Sequence, residues 1–236
     1  MRLIFLVAHL LITLVLYALG ALVFGLALTP ALLMVRTVWL ATAGGDLYRQ
    51  ALATSVAAAA GFFVFGVTLL CLIGLLNILL GLRLKEGSYP AGHPETLKWF
   101  FLNALFLGLR VTFMDFMLLT PFCPLFYSMM GTRLGPGVQI NSRNVADLSL
   151  LSIGENTVIG GNATVIGHVF ERRGLRLERV EIGRNVVVGL NAVIMPGVKI
   201  GDGAMVAAGA IVPRGTVIPP KTVFRGRERA VKSEQQ

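Results

Sequence analysis

The clearest pattern of apolar positions lies near the end of the chain, where aliphatic residues recur every six positions. They are Ile182, Val188, Ile194, Ile200, Val206, Val212 and Ile218. Four residues after each comes a small or β-branched residue: Val186, Ala192, Val198, Ala204, Ala210, Thr216 and Thr222. An α-helix has about 3.6 residues per turn and hairpin sheets alternate by two, so neither produces a period of six. The pattern predicts a parallel β-helix, in which each hexad forms one short strand and a corner and three hexads complete a coil.

The same period extends towards the N-terminus, with one long interruption. Leu134 and Ile140 are six apart, and so are Ile153, Ile159 and Val165. Between Val165 and Ile182 the register breaks, and the segment around GHVFERRGLRLERV is predicted to leave the coil as a loop. Gly or Asn is expected at corners that need a positive φ, namely Gly183, Asn185, Gly189 and Asn191.

Two long apolar runs precede the repeats, at residues 3–28 and 51–82. Each is long enough to cross a bilayer, so we expect a transmembrane helical hairpin with Pro30 closing the first span. A cleaved signal peptide is the alternative for the first run, but its apolar core is longer than such peptides use. His9 lies near the start of this run, where a neutral residue close to the interface is the simplest interpretation.

Residues 97–119 mix charge with Phe and Leu, and carry Lys98, Arg110 and Asp115. A charge in mid-span is costly, which favours an amphipathic helix in the membrane interface over a third crossing. The predicted fold class is therefore a mixed one, an N-terminal transmembrane helical hairpin and interfacial helix followed by a parallel β-helix, whose left-handed sense is implied by the resemblance described below. The predicted divisions are 1–96 for the hairpin with its connecting segment, 97–130 for the interfacial helix and linker, 131–226 for the β-helix, and 227–236 for a polar tail.

Composition supports the membrane assignment and narrows the possible partners. The chain is 55% hydrophobic and only 14% charged, with the apolar excess before about residue 130. Its net charge of +9 suits an anionic lipid surface or a phosphate-bearing ligand, whereas nucleic acid is disfavoured because the basic residues are not interleaved with aromatics. Two cysteines and three separated histidines indicate neither a disulfide framework nor a metal site. The positive-inside rule predicts a multi-pass protein of a bacterial-type inner membrane, with the β-helix in the cytoplasm.

The repeat sequence resembles a known family. The run IGRNVVVGLNAVIMPGVKIGDGAMVAAGAIVPRGTVIPPKTVFRG is similar to the left-handed β-helix hexapeptide acyltransferases, over residues 131–226. The stretch GHVFERRGLRLERVEIG, with EGSYP at residues 86–90 and NVADLSLLSIG before it, resembles one branch more closely. That branch is the membrane-embedded hexapeptide-transferase domain found at the C-terminus of some non-ribosomal peptide synthetases.

The resemblance implies a homotrimer of prisms with acyl-coenzyme A in the cleft between neighbours, and a histidine on a loop that deprotonates the acceptor. His168 is the histidine of the predicted β-helix domain and stands at the register break. An imidazole suits a general base because it is partly neutral near physiological pH. Its second nitrogen needs an acceptor, for which Glu171 and Asp147 are the candidates. A solvent-exposed loop histidine without a role is the alternative.

The resemblance also implies a coenzyme site. The expected residues are Gly189, Ala207, Ala208 and Gly209, where backbone amides meet the pantetheine arm, together with Arg214, Lys221 and Arg225 for phosphates. Arg227 and Arg229 are further candidates for phosphate, although the family's usual G-x-P-A ending is here Gly-Arg-Glu-Arg-Ala. Two alternatives stay open: the prism requires small residues in any case, and the arginines could face anionic lipid. The basic run Arg172, Arg173, Arg176, Arg179 and Arg184 could bind phosphate or stay solvated.

The predicted function is a membrane-bound acyltransferase. It would move an acyl group, most simply acetyl, from acetyl-coenzyme A or another acyl-coenzyme A to a hydroxyl or amine of a membrane-associated acceptor, which could be a lipid-linked or peptide molecule. No permanently bound cofactor and no metal are expected. A non-catalytic trimeric scaffold that anchors a biosynthetic partner to membrane lipid is the alternative. Metal-dependent hydrase chemistry would need several histidines in the prism, and the sequence supplies one.

Overall fold

The computed structural model describes residues 2–172 and 174–226. The predicted polar tail at 227–236, with Arg227 and Arg229, lies outside the described residues, as do Arg173 and the side chain of His9. The helices are α1 (Arg2–Ala41), α2 (Leu47–Leu80), α3 (Pro94–Thr112), α4 (Met114–Met117) and α5 (Phe122–Met129). The chain folds into two compact units, one comprising Met1–Gly81 and Phe100–Met114 and the other Leu82–Trp99 and Asp115–Gln236.

The first unit contains two helices long and apolar enough to cross a membrane, Leu10–Ala41 and Leu47–Leu80. The Asp46 side chain caps the start of α2 by accepting a hydrogen bond from the Arg49 N–H at 3.0 Å, and Gly81 ends this helix in the left-handed region. The prediction that Pro30 closes the first span is wrong, because α1 continues through Pro30 to Ala41. The turn after Pro30 packs against α2, where Ala31 is buried beside Gly61, and this packing offsets the missing proline N–H.

The segment 100–114 packs within the same unit. A Cβ on Gly108 would lie 2.5 Å from the Phe24 ring of α1, and a Cβ on Gly66 would lie 2.1 Å from the Phe113 ring. Both glycines therefore let an aromatic ring approach the backbone of a neighbouring helix. The helix predicted over residues 97–119 is in fact two, because the chain breaks at Phe113 between α3 and α4.

The second unit is built on a three-sided parallel β-helix. Its strands are β2 (Arg133–Leu134), β3 (Gln139–Ile140), β4 (Leu151–Ile153), β5 (Val158–Ile159), β6 (Thr164–Val165), β9 (Val180–Ile182), β10 (Val187–Val188), β11 (Val193–Ile194), β12 (Lys199–Ile200), β13 (Met205–Val206), β14 (Ile211–Val212), β15 (Val217–Ile218) and β16 (Val223–Phe224). They form three sheets, ordered β15-β12-β9-β4-β2, β16-β13-β10-β5-β3 and β14-β11-β6. Successive strands from β10 onwards visit the three sheets in rotation, as the period of six predicts; the left-handed sense of the coil stays a prediction.

The predicted aliphatic column forms the core of the β-helix. Every member from Ile182 to Ile218 is at most 4% exposed, and the small residues at Ala192 and Ala204 are buried beneath them. Asn185 and Asn191 have the positive φ expected at the corners. The same prediction is wrong for Gly183 and Gly189, which adopt ordinary φ values. These glycines are needed for close stacking instead, since a Cβ on Gly189 would lie 2.5 Å from the Ala208 nitrogen of the next coil.

The register break is a sheet rather than the loop expected. Strands β7 (His168–Glu171) and β8 (Gly174–Leu177) pair as an antiparallel hairpin, and β1 (Gly87–Tyr89) adds to the outer side of β8. Gly87 pairs with Leu177 and Tyr89 with Leu175. Leu175 and Leu177 are buried, so the hairpin has its own apolar face beside the β-helix.

Candidate active site

The hexads are also interrupted between β3 and β4, and Asp147 lies in this second interruption, beside the hairpin. Val145 forms an isolated parallel bridge with Val165, and Asp147 lies two residues after Val145, close to Gly167. Asp147 has a φ of +55°, a left-handed conformation that Asp tolerates, and a 3₁₀ turn at Leu148–Leu150 follows it. The Gly167 N–H donates to Asp147 Oδ2 at 2.9 Å, and the glycine leaves room for this approach.

Asp147 holds the ring of His168. The distance from His168 Nδ1 to Asp147 Oδ2 is 2.6 Å, and the aspartate side chain is fully buried whereas 23% of the histidine side chain is exposed. Within residues 2–172 and 174–226, no hydrogen bond occupies His168 Nε2. A proton on Nδ1 directed at the carboxylate leaves Nε2 as a lone-pair site, which is the arrangement a general base requires.

Trp99 completes the surroundings of the pair. Its indole Nε1–H donates to Asp147 Oδ1 at 2.8 Å, and its ring centroid lies 4.7 Å from that of His168. Phe170 packs edge-on against Trp99 at 5.2 Å and is 52% exposed. Sequence reasoning did not single out Trp99 or Phe170 as site residues, because Trp99 lies 48 residues before Asp147 and no short motif links them.

Glu171, the other carboxylate predicted to hold His168, lies on a different surface. It accepts a hydrogen bond from Arg214 Nη1, and Arg214 also donates to both oxygens of Glu178 at 2.7 and 2.9 Å. Arg176 Nε donates to Glu178 Oε1 at 2.7 Å. Glu171 ends β7 at the turn of the hairpin and Glu178 directly follows β8, so Arg214 contacts both the turn and the base of the hairpin.

The charged cluster changes the titration of Glu178. Burial by itself raises the pKa of Glu178, but hydrogen bonds and positive charges from Arg214 and Arg176 outweigh this effect, so its pKa lies below its usual range. The hydrogen bond with Glu178 also raises the pKa of Arg214. Arg214 is therefore already engaged by two carboxylates within its own chain, although it was predicted to bind coenzyme phosphate.

The other residues predicted for the coenzyme are spread along the later coils. Gly189 stacks on Ala208, Ala208 and Gly209 are exposed, and Ala207 is partly exposed beside them. Lys221 and Arg225 are exposed, and Lys221 occupies a corner with a φ of +56°. The structure thus brings Gly189 together with the Ala207–Gly209 corner, and the role of these residues in binding stays a prediction.

The basic residues after His168 are mostly paired. Arg179 donates to Glu86 Oε1 at 2.9 Å, and Arg184 contacts Asp202 at 2.8 Å. With Arg176 and Arg214, Arg179 lines a groove of about 910 Å³ whose lining includes Ser88, Glu178 and Lys199. His168 and Phe170 lie on the opposite face of the hairpin sheet from this groove, because alternate residues of a strand point to opposite faces. No group of three or more His, Cys, Asp or Glu in the described part of the chain is arranged to hold a metal ion.

A parallel β-helix of hexads, with His168 on a hairpin that leaves the coil and the buried Asp147 beside it, defines a hexapeptide-repeat protein with the groups for proton transfer. Residues 150–168 and 179–214 match the family model described as the hexapeptide repeat of succinyl-transferase. Over these residues the chain is similar to the hexapeptide-repeat transferases, and the match lies within the β-helix.

Two curated relatives match parts of the chain. Delta-poly-L-ornithine synthetase of Acinetobacter baumannii (strain AB307-0294) is 23% identical over 125 residues, 52% of this chain and 9% of that protein. YvoF of Bacillus subtilis (strain 168), which carries the name of an acetyltransferase, is 48% identical over 52 residues, 22% of this chain and 30% of that protein. The chain therefore spans less than a third of either relative's length in these matches.

Among solved structures, the hexapeptide-repeat acetyltransferase VCA0836 of Vibrio cholerae, in complex with acetyl coenzyme A, is 20% identical with a TM-score of 0.44. The match covers 61% of this chain and 91% of that one.

Proposed function

We propose that the chain is an acyltransferase that moves an acyl group, most simply acetyl, from coenzyme A to a hydroxyl or amine. The observation that carries the proposal is the distance of 2.6 Å between the buried Asp147 carboxylate and His168 Nδ1. His168 lies on a hairpin that leaves the β-helix of hexapeptide repeats. The match to the hexapeptide repeat of succinyl-transferase and the acetyltransferase name of YvoF support the acyl-coenzyme A donor.

The chemistry follows from the orientation of the imidazole. His168 Nε2 takes the proton of the acceptor O–H or N–H as the oxygen or nitrogen attacks the thioester carbonyl. The C–S bond then breaks, and the imidazolium returns the proton to the departing thiolate, so that the products are acylated acceptor and free coenzyme A. Asp147 stabilises the transient positive charge on the ring and keeps the tautomer fixed. This direct attack needs no covalent enzyme intermediate.

The proposal includes a homotrimer, supported by an apolar face of the β-helix. The first residue of each strand in the sheet β16-β13-β10-β5-β3 points outward, and Val223, Met205 and Val187 are 54%, 45% and 39% exposed. The corresponding residues of the sheet β15-β12-β9-β4-β2 include Lys199, Glu181, Ser152 and Arg133. An exposed row of large apolar side chains is characteristic of an interface.

Membrane residence is also part of the proposal. Large apolar side chains remain exposed along both long helices, as at Leu22 (59%), Leu32 (63%) and Val56 (61%). At about 1.5 Å per residue, a helix of 32 residues is roughly 48 Å long, more than the roughly 30 Å hydrocarbon core of a bilayer. A membrane anchor places the active site where a lipid-linked or membrane-associated acceptor is concentrated.

The test is transfer of radiolabelled acetyl from acetyl-coenzyme A to an extract of membrane lipids, using the full chain purified in detergent. Label is expected in the lipid fraction, with one free thiol released per label transferred. A panel of water-soluble sugars and amines is assayed in parallel to identify other acceptors. If acetyl-, succinyl- and long-chain acyl-coenzyme A all fail to bind, the transferase proposal is wrong. A non-catalytic trimeric scaffold then becomes the better account.

A further inference from the structure

The N-terminal turn of α3 is tied to the hairpin that carries His168. Thr96 is buried and its hydroxyl donates to the Pro90 carbonyl at 2.9 Å, while the Glu95 N–H donates to His93 Nδ1 at 3.1 Å. The His93 ring stacks on Tyr89 at 4.7 Å. Tyr89 belongs to β1, which pairs with β8. These contacts fix the path of the chain from β1 to Trp99, and hence the position of the Trp99 indole relative to His168.

The three hydrogen bonds to Asp147 divide between its two oxygens. Trp99 Nε1–H donates to Oδ1, and both Gly167 N–H and His168 Nδ1 lie at Oδ2. Trp99 is the donor that holds the far oxygen, so it prevents the carboxylate from rotating about its χ2 bond. A buried carboxylate that loses one donor rearranges to recover it, and His168 Nδ1 is the neighbour it would disturb.

We propose that Trp99 is a positioning residue for the base: its indole N–H holds the Asp147 carboxylate in the orientation that keeps His168 Nε2 directed at the acceptor. This inference rests on the proposed function for its kinetic consequence, but the orientation itself is a property of the resting protein. The indole ring also packs on the imidazole, which limits rotation of His168 about its own side-chain bonds.

The kinetic experiment compares Trp99→Phe with the matched variant Trp39→Phe, which changes the exposed tryptophan of α1. Trp99→Phe keeps an aromatic ring but removes the donor. It is expected to lower kcat by roughly tenfold or more while KM for acetyl-coenzyme A stays within about twofold, because geometry at the base is lost and donor binding is not. Trp39→Phe is expected to leave both constants unchanged.

A double-mutant cycle tests whether Trp99 acts through Asp147. In an Asp147→Asn background, Trp99→Phe is expected to lower kcat by no more than about twofold further, because the carboxylate it orients is already absent. If Trp99→Phe lowers kcat by the same factor in the Asp147→Asn background as in the wild type, the proposal is contradicted. A wild-type kcat in the Trp99→Phe single variant would also contradict it.

A second measurement does not depend on turnover. Diethyl pyrocarbonate modifies neutral imidazoles, and mass spectrometry of peptides separates His168 from His93, which serves as the internal reference. In Trp99→Phe the rate at His168 relative to His93 is expected to fall roughly threefold or more, since Asp147 no longer holds Nδ1 and the ring no longer keeps its Nε2 lone pair in one direction. If the ratio is unchanged, the positioning role is wrong. If the wild type transfers no acyl group but the ratio falls, the proposed function fails and the positioning role stands.

Discussion

Asp147 shows how a residue far from the histidine in sequence becomes its partner. Glu171 is three residues from His168, but in a strand residues 168 and 171 point to opposite faces, so Glu171 reaches Arg214 instead. Asp147 is about one coil earlier, near the Val145–Val165 bridge, and its Oδ2 contacts both the Gly167 N–H and His168 Nδ1. The sequence supplied both carboxylates as candidates. To choose between the two carboxylates, one must know that His168–Glu171 forms a strand. The break in the hexad register does not reveal this strand.

Exchanging each carboxylate for its amide separates their roles. Asp147→Asn is expected to lower kcat by roughly 100-fold, because the amide neither stabilises an imidazolium nor fixes the correct tautomer. Glu171→Gln is the matched control and is expected to change kcat by less than about threefold, since its partner Arg214 lies away from the imidazole. Steady-state release of the coenzyme A thiol measures both. Equal losses in the two variants would contradict the assignment of Asp147 as the partner of His168.

Glu178 gives a prediction about stability and pH. Its pKa is lowered in the folded protein, so its ion pairs stabilise the fold above its unfolded pKa and this contribution is lost as pH falls through the folded value. Glu178→Gln is expected to destabilise the protein by about 1 kcal/mol at pH 7. Thermal unfolding followed at several pH values should show the difference from wild type shrinking as pH falls through the lowered folded pKa of Glu178, below which the carboxylate is protonated in both states. A difference that grows towards low pH would have the wrong sign.

At the scale of elements, the hexad period predicted the three-sided coil and its core, because each repeat depends only on its neighbours. The hairpin after Val165 was recognised only as an interruption. The sheet of the hairpin includes β1 (Gly87–Tyr89), which is distant from the hairpin in sequence. Pairing between distant segments produces no local periodicity from which it could be predicted. Pro30 was misjudged for a related reason, since packing of α1 on α2 outweighs a local helix-breaking preference.

The apolar face of the β-helix gives a prediction about assembly. Val187→Glu places a charge on the sheet that we assign to the trimer contact, and it is expected to convert the trimer to monomers in size-exclusion chromatography with light scattering. Val217→Glu is the matched control, because Val217 occupies the equivalent outward position on a different sheet and is 68% exposed. If Val217→Glu dissociates the trimer and Val187→Glu does not, our assignment of the contact to the sheet of Val187 is wrong.

At the scale of the whole molecule, the chain combines a unit with exposed apolar helices and a unit with the candidate active site. Length and composition identified the apolar helices directly, since runs of this length need no tertiary information to be recognised. The packing of residues 100–112 of α3 within the same unit as these helices could not be predicted from the sequence. Gly66 and Gly108 each admit an aromatic ring from a distant part of the sequence, and neither glycine shows this in its local pattern.

Membrane association is tested by fractionation. The chain is expected to sediment with membranes and to remain there after an alkaline carbonate wash, because two helices that cross the bilayer, as we propose, are not released by alkali. Combining Leu22→Lys with Leu26→Lys should release a large part of it, since each charge near mid-span costs roughly 2.5–3.5 kcal/mol. Recovery of the wild-type chain in the carbonate supernatant would contradict membrane residence.

The central claim is that His168 is the base of an acyl transfer, and the most direct measurement is the rate of thiol release from acetyl-coenzyme A by His168→Ala beside His93→Ala. Both variants remove one imidazole from the same unit, but only His168 is held by the buried Asp147. His168→Ala is expected to lower kcat by about 100-fold or more without loss of acetyl-coenzyme A binding, and His93→Ala to stay within about fivefold of wild type. Wild-type turnover in His168→Ala would contradict the account.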